Sequence, residues 1–194
     1  MCRQPFLLIA SFPDSLIQFR GSLMDALLEA GKDVHVAVPD LPPQGSVALA
    51  LAHKGVRVHS IPLQRTGLNP IRDLRLVLSL ITLMLRLRPQ FVLSYTIKPV
   101  VYGSIAAWFT GVKHRFALVT GLGYAFTGTA NGKRALLRRL IQRLYRFALK
   151  RTNRVFFQNP DDEALFREFR LLPESVPSSI VNGSGLGVAD SSFT

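Results

Sequence analysis

"FVLSYTIKPVVYGSIAAWFTGVKHRFALVT", Phe91 to Thr120, carries the reading of the fold. An apolar run over Phe91–Thr96 predicts a strand. A helical stretch over Val100–Thr110 follows, closed by Gly111, and a second apolar run over Arg115–Thr120 predicts another strand. Two strands joined through a helix lie parallel, because the crossover returns the chain to the end of the sheet where the first strand began. The pattern recurs in both directions. Further strands are expected at Phe6–Ser11, Val34–Pro39, Arg57–Pro62, Arg154–Asn159 and Ser179–Asn182. Further helices are expected at Gly21–Ala30, Ser46–Lys54, Pro70–Arg88, Lys133–Thr152 and Pro160–Phe169. Gly31, Gly55 and Gly111 stand where left-handed caps end helices. Asn69-Pro70 and Asn159-Pro160 pair a capping side chain with a first-turn proline. Runs such as "FLLIAS" and "VHVAVP" are apolar enough for strands covered on both sides. The fold class is α/β: a Rossmann-like parallel sheet with helices on both faces.

The chain has 194 residues, 48% of them hydrophobic, which suits one domain with one good core. The single cysteine, Cys2, excludes a disulfide framework and a cysteine-rich metal site. The longest apolar run, Leu76–Leu85, is too short to span a bilayer and is bracketed by Arg75, Arg86 and Arg88. "FLLIAS" is read as a first strand rather than the core of a signal peptide, since no clear small-residue cleavage site follows it. The net charge is +12, unevenly spread: from Leu74 to Pro160 there is no Asp or Glu, and fifteen of the 24 Lys and Arg fall there. Such a one-sided field favours an anionic partner.

The nucleotide-binding fingerprints of this architecture are missing. The turn after the first strand, "SFPDSLIQFRGSLM", has one glycine where a dinucleotide site needs G-x-G-x-x-G, and no P-loop occurs. The "GLG" of Gly121–Gly123 falls in the wrong turn. His35, His53, His59 and His114 are scattered, with no metal-ligand spacing, so no metal and no cofactor is expected. No nucleic-acid recognition module is present either.

Five segments, in order, resemble the N-terminal half of a family 4 glycosyltransferase of GT-B fold: "FRGSLMDALLEAGKDVHVAVPD" (Phe19–Asp40), "PLQRTGLNPIRDL" (Pro62–Leu74), "RPQFVLSYTIKPVVYGSIAA" (Arg88–Ala107), "TGLGYAFTG" (Thr120–Gly128) and "VFFQNPDDEALF" (Val155–Phe166). The subgroup most similar adds hexoses or N-acetylhexosamines to bacterial lipid-linked or polysaccharide precursors. The resemblance implies an acceptor-side domain over residues 1–182. Residues 183–194 would begin an interdomain linker toward a donor-binding domain absent from this chain. It implies retaining transfer from a nucleotide-sugar, a UDP-sugar, to a lipid-linked or polysaccharide acceptor, inactive without the donor half. The alternative is a non-catalytic, membrane-docking half of a split glycosyltransferase that recruits a separate donor-binding subunit.

Site candidates follow from the loops at the carboxyl ends of the strands. Phe12, Asp14 and Phe19 would face an acceptor from the first loop, although Asp14 suits a turn cap better than a ligand. Arg20 and Gly21, expected just before the first helix, would contact phosphate. Arg65, Thr66 and Asn69 would hydrogen-bond an acceptor after the third strand, as would Thr96, Gly123 and Tyr124 after the fourth and fifth. Lys98 would meet a diphosphate. Many relatives carry a histidine before glycine where this chain has Thr120-Gly121, so the catalytic residue is open, with Lys98 and Thr120 as candidates. In retaining enzymes of this type the leaving diphosphate takes the acceptor's proton, which leaves positioning and charge stabilisation to the protein. On the predicted Lys133–Thr152 helix, Leu137, Leu140, Ile141, Leu144 and Ala148 form one stripe. Arg139, Arg143, Arg146 and Lys150 form a cationic ridge opposite it, suited to an anionic membrane surface. The expected location is cytoplasmic, peripheral on the inner face of the cell membrane.

Overall fold

The computed structural model describes residues 4–42, 44–65, 67, 69–121 and 133–181. Seven strands are described: β1 (Pro5–Ile9), β2 (Asp33–Val38), β3 (Arg57–Ser60), β4 (Phe91–Tyr95), β5 (His114–Val119), β6 (Arg154–Phe157) and β7 (Ser178–Ile180). They form one sheet in the order β3-β2-β1-β4-β5-β6-β7, every pair parallel. The helices are α1 (Asp14–Glu29), α2 (Ser46–His53), α3 (Pro70–Leu87), α4 (Ser104–Phe109), α5 (Lys133–Leu149) and α6 (Pro160–Glu168).

Alternation along β1 builds both layers. Phe6, Leu8 and Ala10 join Leu16 and Met24 of α1 and Leu51 of α2 in one core. Leu7 and Ile9 face the other way, into a core with Leu76, Leu80 and Met84 of α3, Ala106 and Ala107 of α4, Tyr145 and Leu149 of α5, and Phe166 of α6. The chain winds outward from β1 to β3, then crosses by α3 to β4 and winds the opposite way. The order therefore reverses between β1 and β4, and the carboxyl ends of these two strands flank the crevice where open α/β sheets place ligands.

Local chemistry sets the helix ends. Asn69 accepts from the Arg72 amide at 3.2 Å and Asn159 from the Asp162 amide at 2.7 Å, each with proline in the first turn. The closing glycines at 31 and 111 are left-handed, with φ of 73° and 72°.

Three details depart from the sequence reading. First, α1 begins at Asp14, not Gly21. Arg20 and Gly21 therefore lie inside the helix, and Gly21 has no first-turn amide to offer a phosphate. Second, the expected Val100–Thr110 helix starts as a π-helical turn over Pro99–Gly103 before α4 takes over. A Cβ on Gly103 would press on the Ser94 hydroxyl and stand 2.9 Å from Ile9 Cδ1, so glycine lets this turn lie against the sheet. Third, the buried arc of α5 includes Tyr145 and Leu149 beside Ala148, with Ile141 and Leu144 partly buried. This rotation leaves Leu140 48% exposed rather than in the stripe. The four cations Arg139, Arg143, Arg146 and Lys150 are exposed as expected.

Candidate functional site

The register levels the carboxyl ends of the central strands: Ile9 stands beside Ser94, and Tyr95 beside Leu118. The segments that follow, from Ser11, Thr96 and Thr120, therefore share one rim. Tyr95 is the hub beneath them. Its hydroxyl lies 3.0 Å from Ser15 Oγ, which also donates to the Phe12 carbonyl at 2.7 Å. The Arg20 guanidinium sits 5.0 Å from the centre of the Tyr95 ring, and it donates to the Phe19 carbonyl at 2.7 Å. Burial pushes the Tyr95 phenol up to about 12, so it stays protonated at neutral pH. Burial also lowers the Arg20 pKa, partly offset by Tyr95. Arg20 is thus held at the rim from below, only 6% exposed, rather than reaching out from a loop.

Thr96 is the strained residue of the rim. Its φ is +70°, a left-handed conformation that a β-branched side chain rarely adopts, and its buried Oγ1 has no hydrogen-bond partner among the described residues. Strain together with an unmet hydroxyl at the switch point makes Thr96 a candidate ligand contact. Across the rim, the Arg65 guanidinium covers the Phe12 ring at 4.5 Å, so the β3–α3 and β1–α1 segments meet beside the crevice.

Lys98 turns inward. Its Nζ donates to Asp73 Oδ1 at 2.8 Å, and the Tyr102 hydroxyl donates to Asp73 Oδ2 at 3.0 Å. Both members of the ion pair are buried. The Tyr102 phenol is raised well above its ordinary value by burial, then by its bond to Asp73 and that residue's charge. The cluster ties the first turns of α3 to the segment after β4. Lys98 is therefore engaged in an ion pair inside the fold, and its expected grip on a diphosphate is not what this geometry offers. Asn69 is likewise spent on capping α3. Asp14 is exposed in the first turn of α1, Phe19 is half-buried, and Thr120 is half-exposed at the rim. Thr66, Gly123 and Tyr124 lie outside the described residues.

Sequence reasoning missed Tyr95, Ser15 and Asp73. Tyr95 reads as an ordinary strand residue and Ser15 as one residue of the turn after the first strand. For Asp73 a signal existed: it is an acidic residue one turn into a helix, on the same face as Leu76 and Leu80. The histidines are less scattered than they look, since His35 Nδ1 and His59 Nε2 lie 2.8 Å apart on adjacent strands. No group of three or more metal-ligating side chains occurs among the described residues.

Residues 18–177 match the family model of the glycosyl transferase 4-like domain. The chain belongs to that family. Over 157 residues it is 29% identical to the N,N'-diacetylbacillosaminyl-diphospho-undecaprenol alpha-1,3-N-acetylgalactosaminyltransferase of Campylobacter jejuni, covering 81% of this chain and 40% of that protein. Among solved structures, it is similar to sucrose-phosphate synthase of Thermosynechococcus elongatus (TM-score 0.64, 14% identity, 93% of this chain and 48% of that one). It is also similar to MurG of Acinetobacter baumannii (TM-score 0.55, 16% identity, 94% and 45%). UDP-N-acetylglucosamine 2-epimerase of Rickettsia bellii shares the fold as well (TM-score 0.62, 11% identity, 94% and 46%). The glycosyl transferase 4-like chain thus has the Rossmann-like fold of one GT-B half and spans less than half the length of these relatives.

Proposed function

We propose that this domain is the acceptor side of a retaining glycosyltransferase that moves a sugar from a UDP-sugar to a lipid-linked or polysaccharide acceptor. The observation that carries the reading is Thr96, strained and with its hydroxyl unmet at the switch point of a glycosyl transferase 4-like domain. An acceptor sugar would lie between Thr96, Thr120 and the Arg65–Phe12 pair, with its hydroxyls on the threonines and its apolar face on the ring. The buried Arg20 adds positive potential beneath the crevice, which favours the diphosphate side of the reaction. No side chain among these is a general base at neutral pH, which fits transfer in which the leaving diphosphate takes the acceptor proton. The Campylobacter relative's name supports an N-acetylhexosamine donor and a diphosphate-linked lipid acceptor. The donor would bind a second domain, on this chain's continuation or on a partner subunit. The domain would work from the membrane surface, held by the exposed cations of α5.

The test supplies the chain with a donor-binding GT-B domain, labelled UDP-N-acetylhexosamine and a polyprenyl-diphosphate saccharide. The expected outcome is a lengthened saccharide with the donor's anomeric configuration kept. An inverted product, or no transfer with any UDP-sugar, overturns the reading.

A further inference from the structure

An open cleft of about 460 Å³ lies toward the β3 edge of the same rim, lined by Asp40, Ile61, Pro62, Leu63, Gln64, Arg72 and Arg75. Its volume is within the range of small-ligand sites. Asp40 follows β2 at φ +49°, the segment 61–64 follows β3, and the arginines stand on the first turns of α3. Ile61 and Leu63 are buried and give the cleft an apolar floor. Arg72 is held across it, donating from Nη1 to Gln64 Oε1 at 2.9 Å. Asp40 and Arg75 line one cleft with opposite charges, yet neither takes part in an ion pair among the described residues. A carboxylate and a guanidinium that face a shared space without closing on each other are both open to a ligand.

Two neighbours narrow the ligand. Gln64 leads directly to Arg65, which covers Phe12 at the central crevice, so the cleft and the crevice adjoin. On α3, Arg72 and Arg75 alternate with Ile71 and Leu74, which are 71% and 58% exposed. Anion-binding groups thus border an apolar ridge at the point where that ridge reaches the rim. We propose that the cleft is a subsite for the diphosphate-linked end of a lipid-carried saccharide. Arg72 and Arg75 meet the diphosphate, Asp40 accepts from a sugar hydroxyl, and the lipid chain leaves along Ile71 and Leu74. This rests on the acceptor-side reading and deepens it. Guanidinium groups suit the task because they pair with phosphate oxygens in a two-pronged geometry.

The test is binding of three probes to the full chain in detergent micelles: a short-prenyl diphosphate N-acetylglucosamine, the same prenyl glycoside without phosphate, and inorganic pyrophosphate. The double variant Arg72→Gln, Arg75→Gln is expected to weaken the diphosphate lipid by about thirtyfold. Affinity for the phosphate-free glycoside is expected to be the same for both proteins, and Arg72→Lys with Arg75→Lys is expected to restore part of the loss. Pyrophosphate is expected to compete only weakly, since it lacks the sugar and the chain. Equal binding of the diphosphate lipid by wild type and double variant overturns the subsite and leaves the acceptor-side reading standing. Pyrophosphate binding as tight as the lipid overturns the lipid source of the ligand. A wild-type chain that binds neither glycolipid overturns the subsite and the acceptor-side reading together. Thermal melts check that each variant is folded.

Discussion

A lysine just past a strand at a ligand rim either reaches out to an anion or turns back to a carboxylate, and for Lys98 the choice lies with a residue far upstream. Asp73 takes both the ammonium and the Tyr102 hydroxyl in a buried setting, so the group acts as a strut. Removing one member of such a pair leaves a charge buried without its counterion, which is costlier than never having had the pair. Asp73→Asn is expected to lower the unfolding free energy by about 3–5 kcal/mol. Asp73→Leu combined with Lys98→Met is expected to restore most of that loss, because the lone charge is gone. Urea denaturation of the three proteins measures it, and a single variant as stable as wild type would show the pair to be solvated. This explains what was legible in the site. The location of Thr96, Thr120, Phe12 and Arg65 at the rim is legible in the sequence, because following a strand sets it. What engages Lys98 and Asn69 is not legible, because their partners, Asp73 and the α3 amides, depend on packing and capping geometry.

Elements were more legible than contacts, because burial on both faces writes strands as short apolar runs whatever their neighbours do. β4 and β5 are the plainest: their expected ends lie within a single residue of the observed ones. α1 begins about two turns before the expected Gly21, for a physical reason. Its buried stripe runs Leu16, Arg20, Met24, and a charged residue in the middle of that stripe breaks the apolar pattern. Arg20 tolerates the position only because the Tyr95 ring and the Phe19 carbonyl receive it. The π-helical turn before α4 was equally hidden, since its cause is the close approach of Gly103 to β1 and β4. That cause is testable. Gly103→Ala is expected to cost about 2 kcal/mol through overpacking against Ser94 and Ile9. Adding Ser94→Ala removes the nearest obstructing atom, a buried hydroxyl with no hydrogen-bond partner among the described residues, and is expected to recover about half. A Gly103→Ala protein with unchanged melting and urea midpoints would mean that the turn is not held against the sheet.

At the scale of the whole molecule, one face stands apart from the rest. α3, α4 and α5 pack on the same side of the sheet, and most of the large exposed apolar residues among those described lie on them: Ile71, Leu74, Leu78 and Leu85, then Trp108 and Phe109, then Leu136, Leu140 and Phe147. Arg151 joins the last two helices, its guanidinium 4.3 Å from the Trp108 ring centre and 3.4 Å from that of Phe147. The same helices fall in the stretch that has fifteen cations and no carboxylate after Asp73. No helix among the described residues is long and apolar enough to cross a membrane. An apolar surface ringed by arginine and free of acid suits the headgroup layer of an anionic bilayer, where rings and leucines sink shallowly and guanidinium groups stay with phosphates. Each basic residue near such a surface contributes roughly 1 kcal/mol, so Arg139, Arg143, Arg146 and Lys150 together contribute about 4 kcal/mol, or about a thousandfold in affinity. Replacing these four with Gln is expected to abolish sedimentation with vesicles that contain phosphatidylglycerol at low salt. Replacing Leu78, Leu85 and Phe109 with Ser is expected to leave the low-salt attraction in place and to remove the binding that survives at high salt, because only the apolar contribution escapes screening. The two variants should therefore fail at opposite ends of a salt titration. Binding to neutral vesicles as tight as to anionic ones, or two variants that fail alike, would rule out this face as the membrane contact.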